Sequence, residues 1–349
     1  MQFTHDWLPQ RVVFASGGAA DAVADEVRRL AASRVMVIAS DPGRAEPVLA
    51  GVPVQVLHTD VAMHVPVEVA ERARQVAAEH DVDLVVCIGG GSTTGLAKAV
   101  ALTTGLPIVA VPTTYAGSEA TDVWGLTESG RKTTGIDQRV LPRTIVYDAS
   151  LMLTLPVPTS VASGLNALAH CVDSMWAPRT DPIDQALAVD GMRALRLGLL
   201  RIVADPSGLP GREQTLYGAY LAAVAFASAG SGLHHKICHV LGGMFGLPHA
   251  ETHAVVLPHV LALNSPAVPD LDRRMAEALD APTALDGLRG LRDDTDAPRA
   301  LRDLGLAEDD VPKAIQPILE AAPPRNPTPV TTENVEALLH DAWEGKEPR

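Results

Sequence analysis

Along the first 150 residues, apolar positions collect into short β-rich runs separated by helical stretches. RVVFA (11–15), RVMVIAS (34–40), VPVQVLH (52–58), DLVVCIGGG (83–91), PIVAVPTT (107–114) and TIVYDASLM (144–152) read as strands. Between them, DAVADEVRRLAA, VEVAERARQVAAEH and TTGLAKAVALTT read as helices. This alternation predicts a parallel sheet covered on both faces. Beyond LTLPVPTSVASG the pattern changes. VASGLNALAHCVDSMWA, IDQALAVDGMRALRLGLLRIVA, QTLYGAYLAAVAFASAG, LHHKICHVLGGMFG and ETHAVVLPHVLALN are helical patterns with Gly or Pro punctuation. ENVEALLHDAW predicts a last helix, followed by a frayed tail. The expected fold is an α/β domain over 1–155 and an all-α domain over 156–349.

Composition narrows the function classes. Hydrophobic residues make up 47% of 349 but aromatics only 3%, so the cores rest on Ala, Val and Leu. A formal charge of −14 argues against nucleic acid and anionic membranes as partners. An anionic substrate would need local cations. Cys87, Cys171 and Cys238 form no C-x-x-C pair, which predicts a reducing compartment without disulfides. The first residues, MQFTHDWLPQ, carry no signal-peptide pattern, so a cytoplasmic protein is expected. LYGAYLAAVAFASAGSGL is rich in Ala, Gly and Ser and reads as a buried helix rather than a membrane span.

Two regions carry candidate chemistry. Gly89, Gly90, Gly91, Ser92, Thr93, Thr94 and Gly95 follow an apolar strand and open a helix. Such a loop brings backbone N–H groups close to a pyrophosphate, and Ser92 or Thr93 can cap the helix or bond a phosphate oxygen. A tight turn before a capped helix uses the same residues. The run matches neither G-x-G-x-x-G nor a Walker loop. Thr113 and Thr114 end the next strand, where open sheets form their ligand crevice. Asp41, after the strand MVIAS, can bond an adenosine ribose and favour NAD, or simply make a turn before Pro42.

The second region is a set of polar pairs at i, i+4 spacing: Asn166/His170, His235/His239 and His249/His253. Each pair shares a helix face, so five imidazoles and one amide meet in one cavity if the helices converge. His234 pairs instead with Cys238. His249-Ala-Glu251-Thr-His253 is not a zinc-protease motif. Its Glu lies two residues past the first His, turned ~200° around the helix.

Together these residues resemble the iron-containing (group III) alcohol dehydrogenase family over nearly the whole chain. The marks are GGGS (89–92), VPTT (111–114), GSEAT (117–121), SGLNALAH (163–170), HHKICHVLGG (234–243) and GLPHAETHAVVLPH (246–259). The resemblance implies a dehydroquinate synthase-like architecture, with a dinucleotide-binding α/β domain, a helical domain and an active site in the cleft between them. It places NADH or NADPH on the glycine loop, Thr113, Thr114, Ser118, Asp41 and Lys132. It implies a homodimer joined through the sheet edge. The family's metal would fall on Asn166, His170, His235 and His249, but metal-dependent members carry Asp at the first position.

That amide, Gly95 in place of Asp, a TTYAGSEAT stretch one residue short and PHAETHAVVLPH look like the maleylacetate reductase branch. Its members reduce a carbon–carbon double bond of a keto-dicarboxylate with NAD(P)H, and no metal is expected. On this reading His239, His249 and His253 stabilise an enolate and deliver a proton. Asn166, His170 and His235 line the pocket as donors. Lys236 and Arg325 would pair with substrate carboxylates, and Tyr115 would touch nicotinamide or substrate. The alternatives are a metal-dependent alcohol dehydrogenase tolerating Asn166, a dehydroquinate synthase-type lyase, and a non-catalytic ligand-binding relative.

Overall fold

The computed structural model describes residues 1–128 and 131–348; the side chains of Arg131 and Lys132 lie outside the described residues. The chain divides into two units, Trp7–Leu155 and Pro156–Arg349, the second also holding Met1–Asp6.

The first unit is built on a six-stranded sheet. Its strands are β1 (Arg11–Phe14), β2 (Val35–Ile38), β3 (Val54–His58), β4 (Leu84–Gly89), β5 (Ile108–Pro112) and β8 (Thr144–Tyr147), in the order β1-β8-β5-β4-β2-β3. Every pair is parallel. Parallel strands need crossovers, and α1 (Ala19–Arg29), α2 (Pro42–Ala45), α3 (Val67–Glu79) and α4 (Gly91–Thr104) lie in those crossovers. Side chains alternate across the central strands. Val35, Val37, Leu84 and Val86 pack with Val23 and Val27 of α1, while Met36, Ile38, Val85 and Cys87 pack with α3 and α4. Both faces are therefore covered, which is why these strands read as continuous apolar runs.

The winding reverses between β2 and β4. The chain steps outward from β2 to β3, then returns through β4, β5 and β8. Ala45 and Val48, after β2, join the α1 face, whereas α4 covers the other. The ends of β2 and β4 thus flank the switch point, where open sheets bind ligands. A separate antiparallel hairpin, β6 (Val123–Glu128) with β7 (Arg131–Ile136), was not foreseen from sequence. Its strands pair with each other and stay partly exposed, so they lack the apolar signature.

The second unit is helical: α5 (Val157–Ser174), α6 (Pro182–Ala204), α7 (Leu209–Ala229), α8 (Leu233–Phe245), α9 (His249–Asn264), α10 (Pro269–Leu279), α11 (Ala284–Asp294), α12 (Val311–Ala321) and α13 (Thr332–Glu344). The Ala-rich run is α7, and its apolar residues are largely buried. Among the described residues no single helix is long and apolar enough to cross a membrane. One core joins Ile237 and Leu241 of α8, Val255, Val256 and Val260 of α9, Ile318 of α12 and Leu339 of α13.

Two expectations are corrected here. Residues 1–6 belong to the helical unit, because His5 Nδ1 bonds Asp181 Oδ2 at 2.8 Å, at the cap of α6. The described part of the tail after α13 is not loose: Glu347 pairs with Arg292 at 3.2 Å and Arg299 at 2.9 Å.

Candidate active site

The glycine loop joins β4 to α4. A Cβ on Gly89 would lie 2.3 Å from Thr93 Oγ1, and one on Gly90 would lie 3.0 Å from Thr114 Cγ2. Thr113 N donates to Gly89 O at 3.0 Å, tying the end of β5 to the loop. No side chain caps α4, so Ser92 and Thr93 do not serve as caps; Thr93 packs against Gly89 instead. The first N–H groups of α4 stay available for an anion. The cradle is one that a side chain would fill, and it suits a dinucleotide pyrophosphate. Asp41 lies past β2, across the switch point, and its carboxylate already caps α2 by accepting from Gly43 N (3.0 Å) and Arg44 N (3.3 Å). Tyr115 is fully buried and Ser118 partly so. Lys132 lies on β7, with its side chain outside the described residues.

In the helical unit, α5, α8 and α9 bring the imidazoles together. His170 lies 4.9 Å from His235, ring centre to ring centre, and His235 lies 4.7 Å from His253. His249 is 4.4 Å from His253 and 6.4 Å from His239, which is 6.1 Å from His235. Phe226 of α7 closes one side, 4.7 Å from His170 and 4.3 Å from His235. Asn166, His170, His235 and His253 are buried, whereas His239 and His249 are exposed. Lys236 is partly exposed on α8. Arg325 is exposed between α12 and α13, beside Asn326, which exchanges amide hydrogen bonds with Asn264 at 3.1 and 2.7 Å.

A buried carboxylate organises the cluster. Asp173 Oδ2 accepts from Gly232 N (3.0 Å), His235 N (3.2 Å) and His235 Nδ1 (2.7 Å). Asp173 thus caps α8 from α5 and sets the His235 tautomer. Burial pushes its pKa up to about 7, against the backbone N–H groups of α8 and then Lys236. Three donors at a helix N-terminus favour the ionised form. Burial, and after it the neighbouring imidazoles, lowers the pKa of His170 and His234 to about 3 and holds His235 and His253 well below the usual histidine value. These rings are neutral at pH 7.

With Nδ1–H committed to Asp173, His235 presents a bare Nε2. It is therefore an acceptor, not the donor expected from sequence. Asn166 Oδ1, His235 Nε2 and His253 Nε2 are buried without a hydrogen-bond partner among the described residues. Buried polar atoms are normally paired, so the bare nitrogens of His235 and His253, whose rings lie 4.7 Å apart, mark a place shaped for a polar ligand.

The donor set does not suit a dication. Among the described residues of this cluster, the group near enough to share one ion is His234, His235 and His253, a different set from His170, His235 and His249. Of these, His234 Nε2 and His253 Nδ1 are already joined at 2.8 Å. Asn166 brings no charge, and Oδ2 of Asp173 is committed to α8 and His235.

Asp173, His234 and Phe226 were missed in the sequence. Asp173 had a readable signal, since it lies three residues past His170 and seven past Asn166, on the same face of α5. Phe226 had none, being one apolar residue among many on α7.

The family model for iron-containing alcohol dehydrogenase matches residues 9–149, and that for the C-terminal region of the Fe-containing alcohol dehydrogenase family matches 160–343. The chain is 44% identical to a maleylacetate reductase of Sphingobium indicum, over 100% of this chain and 99% of that protein. A crystal structure named iron-containing alcohol dehydrogenase, from Corynebacterium glutamicum, superposes with a TM-score of 0.98 at 56% identity, covering 100% of this chain and 98% of that one. The maleylacetate reductase of a Rhizobium species superposes with a TM-score of 0.93 at 41% identity, covering 100% of both chains. The chain belongs to the iron-containing alcohol dehydrogenase family of oxidoreductases, and within it groups with the maleylacetate reductases.

Proposed function

We propose that this protein is a maleylacetate reductase, reducing the C=C bond of maleylacetate to 3-oxoadipate with NAD(P)H and without a catalytic metal. The carrying observation is an amide, Asn166, at the head of a buried imidazole cluster, in a chain 44% identical end to end to a protein of that name.

Reduced nicotinamide, when bound, supplies a hydride. The substrate accepts it at the alkene carbon β to its ketone, the ketone oxygen takes the enolate charge, and a proton closes the α carbon. One hydride and one proton are added across the double bond. Conjugation spreads the developing charge, so neutral N–H donors suffice where a simple aldehyde would need a Lewis acid. In the tautomer in which His234 Nε2 donates to His253 Nδ1, 2.8 Å away, His253 holds its proton on Nε2 and offers it to that oxygen. Asn166 and His170 add donors beside it. His239 and His249 are exposed, so they can take protons from water and deliver them to carbon. Lys236 and Arg325 balance the substrate carboxylates. Asp41, Gly89, Gly90, Gly91, Ser92, Thr113, Thr114, Ser118 and Lys132 hold the cofactor, with Tyr115 against nicotinamide or substrate.

We place the protein in the cytoplasm, in keeping with three buried free thiols. We expect a homodimer through β1, an edge strand whose surroundings leave Trp7 61% and Phe14 49% exposed. Light scattering would test the dimer.

The deciding assay is NADH or NADPH oxidation with maleylacetate after exhaustive chelation. Full activity supports the metal-free reading. Loss on chelation, with recovery on iron or zinc, overturns the metal-free reading, and oxidation of simple alcohols identifies a metal-dependent alcohol dehydrogenase. The bare Nε2 of His235 and the name of the Corynebacterium glutamicum structure speak for that second reading.

A further inference from the structure

We infer that Lys98, which no part of the foregoing chemistry uses, is the positioning residue that locks the Ser118–Val123 turn to the glycine-loop helix and so fixes the dinucleotide site; this rests on the cofactor reading above. Lys98 lies in the middle of α4 and is fully buried. Its Nζ donates to Ser118 O at 2.6 Å, Thr121 O at 2.8 Å, Val123 O at 2.8 Å and Thr121 Oγ1 at 3.0 Å. Four acceptors around one nitrogen suit an ammonium with three protons. A buried lysine is costly unless matched so closely.

The acceptors belong to a single turn. That turn starts at Gly117, in the left-handed region at φ 76°, and runs into β6. Two other parts of the chain grip it. Tyr147 Oη of β8 donates to Glu119 Oε1 at 2.8 Å, and Gln10 Nε2 donates to Glu119 O at 2.8 Å. Glu119 and Asp122, both buried, supply negative charge near the ammonium. Lys98 is the grip that comes from α4, whose first turn is the phosphate cradle. Without it, Thr121 O and Val123 O lose the bond from Lys98, Ser118 O keeps only its bonds from Thr121 within the turn, and the turn bearing Ser118 is released from the helix that carries Gly91 and Ser92.

Binding of the cofactor should therefore suffer more than the chemical step. Lys98→Met keeps the length and removes the charge. Its KM for NAD(P)H should rise ~10-fold or more, while kcat at saturating cofactor stays within about threefold and the KM for maleylacetate is unchanged. Fluorescence titration with NADH should show the same weakening without substrate. Lys98→Met with Glu119→Gln removes the stranded acid; it should recover thermal stability but not cofactor affinity, which separates positioning from folding. Should both fail to fold, Thr121→Val deletes one acceptor and should raise the KM for NAD(P)H about threefold. Wild-type cofactor affinity in a folded Lys98 variant, or in Thr121→Val if only that folds, overturns the inference. So does a fall in kcat with KM unmoved. If the wild-type protein itself fails to bind NADH and NADPH, the cofactor reading falls instead.

Discussion

His235 gives its Nδ1 proton to Asp173 across 2.7 Å, and both side chains are buried. One hydrogen bond thereby fixes which nitrogen of His235 faces the cluster, while the same carboxylate oxygen accepts from the first N–H groups of α8. The approach is so close that a Cβ on Gly232 would lie 2.4 Å from Asp173 Oδ1. An outer carboxylate of this kind orients an imidazole and sets its basicity.

Asp173→Asn should therefore harm both stability and turnover. All three donors meet the one oxygen Oδ2, and a neutral amide oxygen in its place accepts them more weakly than a carboxylate. Turnover should fall ~10–100-fold, and stability by about 1–3 kcal/mol. Steady-state kinetics beside a denaturant melt would show it. Unchanged turnover in a folded variant removes Asp173 from the site.

Asn166→Asp should turn the cluster toward metal binding. It puts an anionic ligand one turn before His170 on α5, and the bare Nε2 of His235 is already in the tautomer that metals take. After incubation with zinc and gel filtration, elemental analysis should find about one ion per variant chain and much less in the wild type. Equal zinc in both would mean that the amide is not what limits metal uptake.

His249→Ala tests the assignment of proton delivery. Turnover of maleylacetate should fall ~10²-fold with NADH binding intact. A variant with normal turnover leaves His239 as the remaining exposed candidate.

Acid should destabilise the helical unit. His170 and His234 are lowered to about 3 and His259 to about 4, and His235 and His253 lie well below 6.5. Below pH 6.5 the unfolded chain takes up protons that the folded one refuses, so stability is full above that value and lost as pH falls toward 4 and 3. Each such group costs roughly 1.4 kcal/mol per pH unit inside this window. Asp173, raised to about 7, works in the opposite sense between about 7 and 3.8 and offsets one of them. The melting temperature should drop sharply between pH 6.5 and 5. A flat profile would mean that the imidazoles are charged or solvated in the fold.

The strands of the first unit were legible because a sheet covered on both faces demands unbroken apolar runs, as in Leu84–Gly89. The hairpin of β6 and β7 was not, because its partly exposed strands carry no such run. The spacing of Asn166 and His170 put both on one face of α5, but nothing local announced that Asp173 would reach His235, 62 residues on. Lys98 drew no reading of its own within the helix TTGLAKAVALTT, although it lies wholly inside.

By itself the sequence determined the elements and their buried faces, since periods of two and 3.6 residues follow from steric limits within a few neighbouring residues. It also determined that Asn166 cannot carry a negative charge. Tertiary structure alone decided that α5, α7, α8 and α9 meet, that His235 is an acceptor and that four imidazoles are neutral. Those properties depend on distances between parts of the chain far apart in sequence, and on the loss of water that only packing brings about.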